Sequence, residues 1–109
     1  MLNDYKLFTR TTAIYPQAGE GTVRAIAYTA LGLAGEAGEA ANKVKKLMRD
    51  EDTPVKRLAL SKELGDVLYY WARLCDELGV DPTEVIKENR EKLTSRKERG
   101  TLQGSGDNR

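Results

Sequence analysis

Two pairs of acids carry the first chemical signal in this sequence. Glu36 and Glu39, and then Glu63 and Asp66, are each spaced i, i+3, which turns the two carboxylates of a pair to one side of a helix. Glu36 and Glu39 are the only charges in TALGLAGEAGEAAN, among small and apolar residues that do not suit a solvated helix face. On the next helix, with roughly 100° per residue and Glu63 at zero, the stripe Leu60, Leu64, Val67, Trp71, Leu74 and Leu78 centres near +60° and Asp66 falls near −60°. Glu63 and Asp66 therefore border the apolar stripe. Four carboxylates brought together in a partly buried place repel one another unless a cation neutralises them. An all-oxygen set selects Mg²⁺, with Mn²⁺ as a substitute, over zinc. Magnesium keeps waters and binds phosphate oxygens, so the site suits a polyphosphate substrate and a water nucleophile.

The absence of histidine narrows the alternatives. It excludes Ser-His and Cys-His nucleophilic systems, imidazole bases and nearly all zinc or di-iron helical sites. The single cysteine, Cys75, cannot form an internal disulfide. Eighteen Lys and Arg balance seventeen Asp and Glu, which argues against a general nucleic-acid binder. No apolar run reaches the ~20 residues of a membrane span and the N-terminus lacks a signal-peptide core, so the expectation is a cytoplasmic protein without a membrane partner.

Helices must position these acids, since no alternating apolar pattern marks a strand. The spacing predicts a first helix over roughly 2–14 and a Gly-rich loop at 17–22. A second helix is expected over about 23–48, where Lys43, Lys45, Lys46 and Arg49 suit the C-terminal end. A third is expected over 54–78, started by Pro54, carrying the stripe as its core face and stopped by Gly79. A fourth is expected from Asp81-Pro82 to about Arg99. Twenty-three residues lie between Glu39 and Glu63, enough to run down one helix and back up the next. The acid pairs of an antiparallel hairpin then meet at one level. Glycines 32, 35 and 38 each cost about 1 kcal/mol in a helix relative to alanine and imply close approach of a helix or a ligand. Asn89, Lys92 and Arg96 share one face of the fourth helix and offer cationic donors for phosphates. Residues 1–100 read as one domain and 101–109 as a flexible tail.

GLAGEAGEAANKVKK, KELGDVLYYWARL and NREKLTSR together resemble the MazG-like, all-α nucleoside triphosphate pyrophosphohydrolases over about residues 23–100. The resemblance implies a four-helix, all-α architecture completed by oligomerisation, as a homodimer or homotetramer. Glu36, Glu39, Glu63 and Asp66 would bind Mg²⁺ and form the catalytic set, while Asn89, Lys92 and Arg96 would bind substrate phosphates. Water would attack the α-phosphorus of a (deoxy)nucleoside triphosphate, and pyrophosphate would leave. Some relatives carry a further glutamate inside the first motif; here Ala37 and Gly38 stand between the two acids, which leaves the general base open. The base pocket is also open, with Tyr5, Phe8, Tyr15, Tyr69, Tyr70 and Trp71 available for stacking. Two other readings stand beside this one: a helical oligomer that binds nucleotide or a protein without turnover, and a relative specialised for dUTP, dCTP or phosphoribosyl-ATP.

Overall fold

The computed structural model describes residues 1–107 and 109. Four helices follow in order: α1 (Leu2–Arg10), α2 (Val23–Arg49), α3 (Pro54–Leu78) and α4 (Pro82–Glu98), with no strand among the described residues. None of these helices is long and apolar enough to cross a membrane.

Local chemistry sets the boundaries. The Thr22 side chain accepts from the Ala25 N–H at the start of α2, and Thr53 accepts from Lys56 N–H ahead of Pro54 at the start of α3. Gly79, at φ 69°, closes α3 in the left-handed conformation, with its N–H on the Asp76 carbonyl and that of Val80 on Cys75. Asp81 caps α4 through Thr83 N–H at 2.8 Å. α1 ends four residues earlier than the spacing suggests. The Thr9, Thr11 and Thr12 hydroxyls donate to the carbonyls of Lys6, Phe8 and Thr9, competing for the groups that would continue the helix.

α2 and α3 form the antiparallel hairpin, fixed by cross-helix pairs that run in opposite directions. Gly32 faces Tyr70 near one end and Lys43 meets Glu63 near the other. α1 lies against α3 and α4. The α1–α2 loop is held by a buried polar knot. Gly19 and Gly21, at φ 83° and 66°, donate their N–H groups to the two Glu77 oxygens at 2.8 and 2.9 Å. The Tyr15 hydroxyl donates to the same carboxylate, and Arg73, fully buried, donates to Tyr15, Glu77 and Asp76. Arg10 closes the network on Asp76 with two bonds of 2.8 Å. These two arginines hold the Asp76 carboxyl down at about 2, Arg10 having the larger effect, whereas burial and then the Glu77 contact push the Tyr15 phenol up to about 12.

The apolar core of the chain is small, comprising Tyr15, Ala25, Ala72 and Cys75 among the described residues. The radius of gyration is 16.7 Å, against about 13 Å for a compact domain of this length. The α3 stripe expected to face a core is therefore corrected: Leu64 is 60% exposed, Leu78 is also exposed, and Leu60, Val67, Trp71 and Leu74 are only partly covered. The reason is the placement of α4, which packs on α1. Leu64, Val67, Leu68 and Trp71 are left lining an open cavity of about 340 Å³ with Leu2 and Ile86.

Candidate metal and phosphate site

The hairpin brings three of the four expected acids together. Glu36, Glu39 and Glu63 each place one carboxylate oxygen within 4.8 Å of the others. That spread is slightly wider than the roughly 4.2 Å between opposite ligands on magnesium, so a small closure of the side chains would seat an ion. Asp66 stands outside the trio and is exposed, but its charge helps raise Glu36, and it adjoins Glu63.

Glu63 is the anchor of the cluster, 7% exposed on the inner side of α3. Its Oε1 receives the Lys43 ammonium at 2.7 Å, while its Oε2 is buried without a hydrogen-bond partner among the described residues. The groups that crowd it, Glu36 and Asp66, are carboxyls, which accept when ionised and serve it only when protonated. An orphaned, buried oxygen on a carboxylate grouped with other carboxylates is what a divalent cation would satisfy, and the donor set is all oxygen. The residues fit a hard metal ion.

The electrostatics split the cluster. Lys43 above all holds the Glu63 carboxyl below its ordinary range. Glu36 is pushed up, first by burial and then by the charges of Glu39, Asp66 and Glu63. Lys43 is the site residue that the acid motifs alone miss. Its signal was present, because it follows Glu39 by four residues and so shares that face of α2.

The α4 residues stand apart from the acids. Asn89 and Lys92 line a separate cavity of about 290 Å³ with Val85 and Glu88, all on α4. Arg96 is 4% exposed and donates to the carbonyls of Asp107, at 2.7 Å, and Gly106, at 3.5 Å. The tail is further tied by Arg109, which donates to Thr101, Leu102 and Gly106 carbonyls, and by Arg99 on the Arg109 carbonyl. Asn108 lies outside the described residues. No ion pair or hydrogen bond among the described residues joins Asn89, Lys92 or Arg96 to the four acids.

The aromatics divide in the same way. Tyr15 is stacked on Tyr28 with centroids 4.9 Å apart and is committed to Glu77 and Arg73. Trp71 belongs to the open apolar cavity. Tyr70 packs in the notch at Gly32 with Tyr69 edge-on to it, and Thr12 donates to the Tyr69 hydroxyl. Burial first, then Tyr69 and Asp66, raise the Tyr5 phenol, which places α1 beside the acidic end of the hairpin. Phe8 is exposed, with its ring tilted against Tyr5.

Residues 25–101 match the model of the MazG nucleotide pyrophosphohydrolase domain. The chain is similar to the "Gene 37 protein" of Mycobacterium phage L5, 50% identical over 109 residues that cover 96% of each chain. No solved structure matches. The matched region contains all four acids, all but the first two residues of the hairpin that carries them and all of α4, and the chain belongs to the MazG nucleotide pyrophosphohydrolase family.

Proposed function

We propose that this protein hydrolyses (deoxy)nucleoside triphosphates to the monophosphate and pyrophosphate, with Mg²⁺ or Mn²⁺ held by Glu36, Glu39, Glu63 and Asp66. The observation that carries the reading is buried Glu63, whose Oε2 has no hydrogen-bond partner among the described residues, grouped with Glu36 and Glu39 so that one oxygen of each lies within 4.8 Å of the others, in a chain of this family. A divalent ion there would neutralise phosphate oxygens and acidify a water. The chain's own part is to hold the carboxylates on a rigid helix pair and to supply a base.

The phosphate donors require a second element. Asn89 and Lys92 face a cavity of their own, and large apolar side chains, among them Leu31, Met48, Val55, Leu58 and Leu64, are exposed. Apolar surface on this scale favours a second copy of the chain, as a homodimer or a homotetramer. In that assembly the α4 of one copy would serve the acids of the other, with Asn89, Lys92 and Arg96 on the phosphates.

Hydrolysis in ¹⁸O-labelled water tests the point of attack. The label is expected in the nucleoside monophosphate; label in the pyrophosphate instead would exclude attack at the α-phosphorus.

A further inference from the structure

The Lys43 side chain belongs to two surroundings at once. Its ammonium pairs with Glu63 at the acid cluster, and the same residue lines a cavity of about 200 Å³ with Lys46, Asp50, Lys56 and Ala59. This cavity lies toward the α2–α3 turn, and Lys43 is the wall it shares with the acids. The ion pair is lopsided: the Lys43 side chain is 37% exposed and that of Glu63 only 10%. The carboxylate is fixed, and the flexible lysine is the partner free to move. Three lysine side chains line this cavity, largely with their apolar stems, against one carboxylate, Asp50, which Arg49 already engages with two bonds of 2.9 Å. Lys56 is steadied on the Glu51 carbonyl at 2.7 Å.

A cation entering the acid cluster competes with the Lys43 ammonium for Glu63. Both are positive and the orphaned Oε2 belongs to the same carboxylate, so binding a divalent ion weakens the hold on Lys43. The lysine cavity itself offers a released ammonium little negative charge, whereas an anion placed there would supply it.

We propose that Lys43 is a substrate-positioning residue that changes partner. It neutralises Glu63 while no divalent cation is bound, and it turns to the terminal phosphates of the substrate, in the cavity with Lys46 and Lys56, once the acids hold a cation. The proposal rests on the metal reading above and adds a pyrophosphate subsite at the turn end of the hairpin. That subsite is made by α2 and α3 of the protomer that supplies the acids, and it is separate from Asn89, Lys92 and Arg96.

Calorimetric titration of the purified protein, first with Mn²⁺ and then with inorganic pyrophosphate in the presence of Mn²⁺, separates the two halves without relying on turnover. Lys43→Met is expected to bind Mn²⁺ at least roughly threefold more tightly, because a competing cation is gone, and pyrophosphate about tenfold more weakly. Lys43→Arg, which keeps the charge, is expected to restore both values to near wild type, with circular dichroism confirming equal folding. Unchanged or weaker Mn²⁺ binding in Lys43→Met would overturn the competition, and unchanged pyrophosphate binding would overturn the subsite. A wild-type chain that binds no Mn²⁺ would instead remove the metal reading itself, whereas Glu63→Gln losing Mn²⁺ binding would uphold it.

Discussion

The ring of Tyr70 lies against the bare backbone of Gly32, so closely that a methyl group built on that glycine would stand 2.5 Å from two ring carbons. This contact sets the spacing of α2 and α3 one turn from Glu36, and hence the level at which the acids face each other. Gly35 and Gly38 have nothing within 4 Å of the same position, so close approach within the chain accounts for one of the three glycines.

Gly32→Ala is therefore expected to destabilise the fold by about 1–3 kcal/mol through overpacking, despite its better helix propensity. Gly35→Ala and Gly38→Ala would gain up to about 1 kcal/mol each if that face stays open. Urea denaturation of the three variants ranks them directly. A stabilised Gly32→Ala would mean that Tyr70 is not seated there, and a destabilised Gly38→Ala would mean that a second copy or a ligand covers the face.

Asp76 gives a pH signature. Arg10 and Arg73 hold its carboxyl at about 2 in the folded chain, below the ordinary 3.8. A depressed carboxylate contributes stability that is full above its unfolded pKa and is lost as pH falls through the folded value. Stability should thus decline between about pH 4 and pH 2, by on the order of 1–2 kcal/mol, since Arg10 is half exposed and screened. Asp76→Asn should lose this amount at neutral pH and show a flatter profile across that window. Parallel profiles for the two proteins would show that the pairing contributes nothing.

How much of this was legible in the sequence depends on how local the cause is. The Thr53-Pro54 start, the Gly79 stop and the Asp81 cap act within a few residues, and the pattern locates them. The acid pairs were equally legible, because each sits within one turn of its own helix. The Arg73, Glu77 and Tyr15 knot was not, since its partners come from a loop more than fifty residues away in sequence. The α3 stripe shows the opposite failure. Its spacing specifies an apolar face, but periodicity does not say whether that face meets α4, solvent or another copy of the chain.

The acids should behave as a set. Glu63→Gln and Asp66→Asn are each expected to lower turnover by roughly a hundredfold or more while leaving the helical fold intact. Asp66 is the more informative of the two, because it stands outside the trio of close oxygens. Near-normal turnover in Asp66→Asn would confine the metal set to the three glutamates.

Arg96 makes a different prediction. Its guanidinium is taken up by the carbonyls of Gly106 and Asp107, so binding a phosphate requires that the tail let go. Removing residues 101–109 is expected to lower KM for the triphosphate several-fold, and Arg96→Ala in the shortened chain to raise it by about tenfold. Equal KM values in the full and shortened chains would mean that Arg96 serves to hold the tail and not the substrate.

The proposed reaction is metal-dependent cleavage between the α- and β-phosphates. The direct measurement is the release of pyrophosphate and monophosphate from a panel of common and non-canonical NTPs and dNTPs, with Mg²⁺, Mn²⁺ or EDTA. Pyrophosphate and the matching monophosphate should form in equal amounts with either metal and stop in EDTA. Inorganic phosphate with a nucleoside diphosphate, or no product from folded protein supplied with metal, would contradict it.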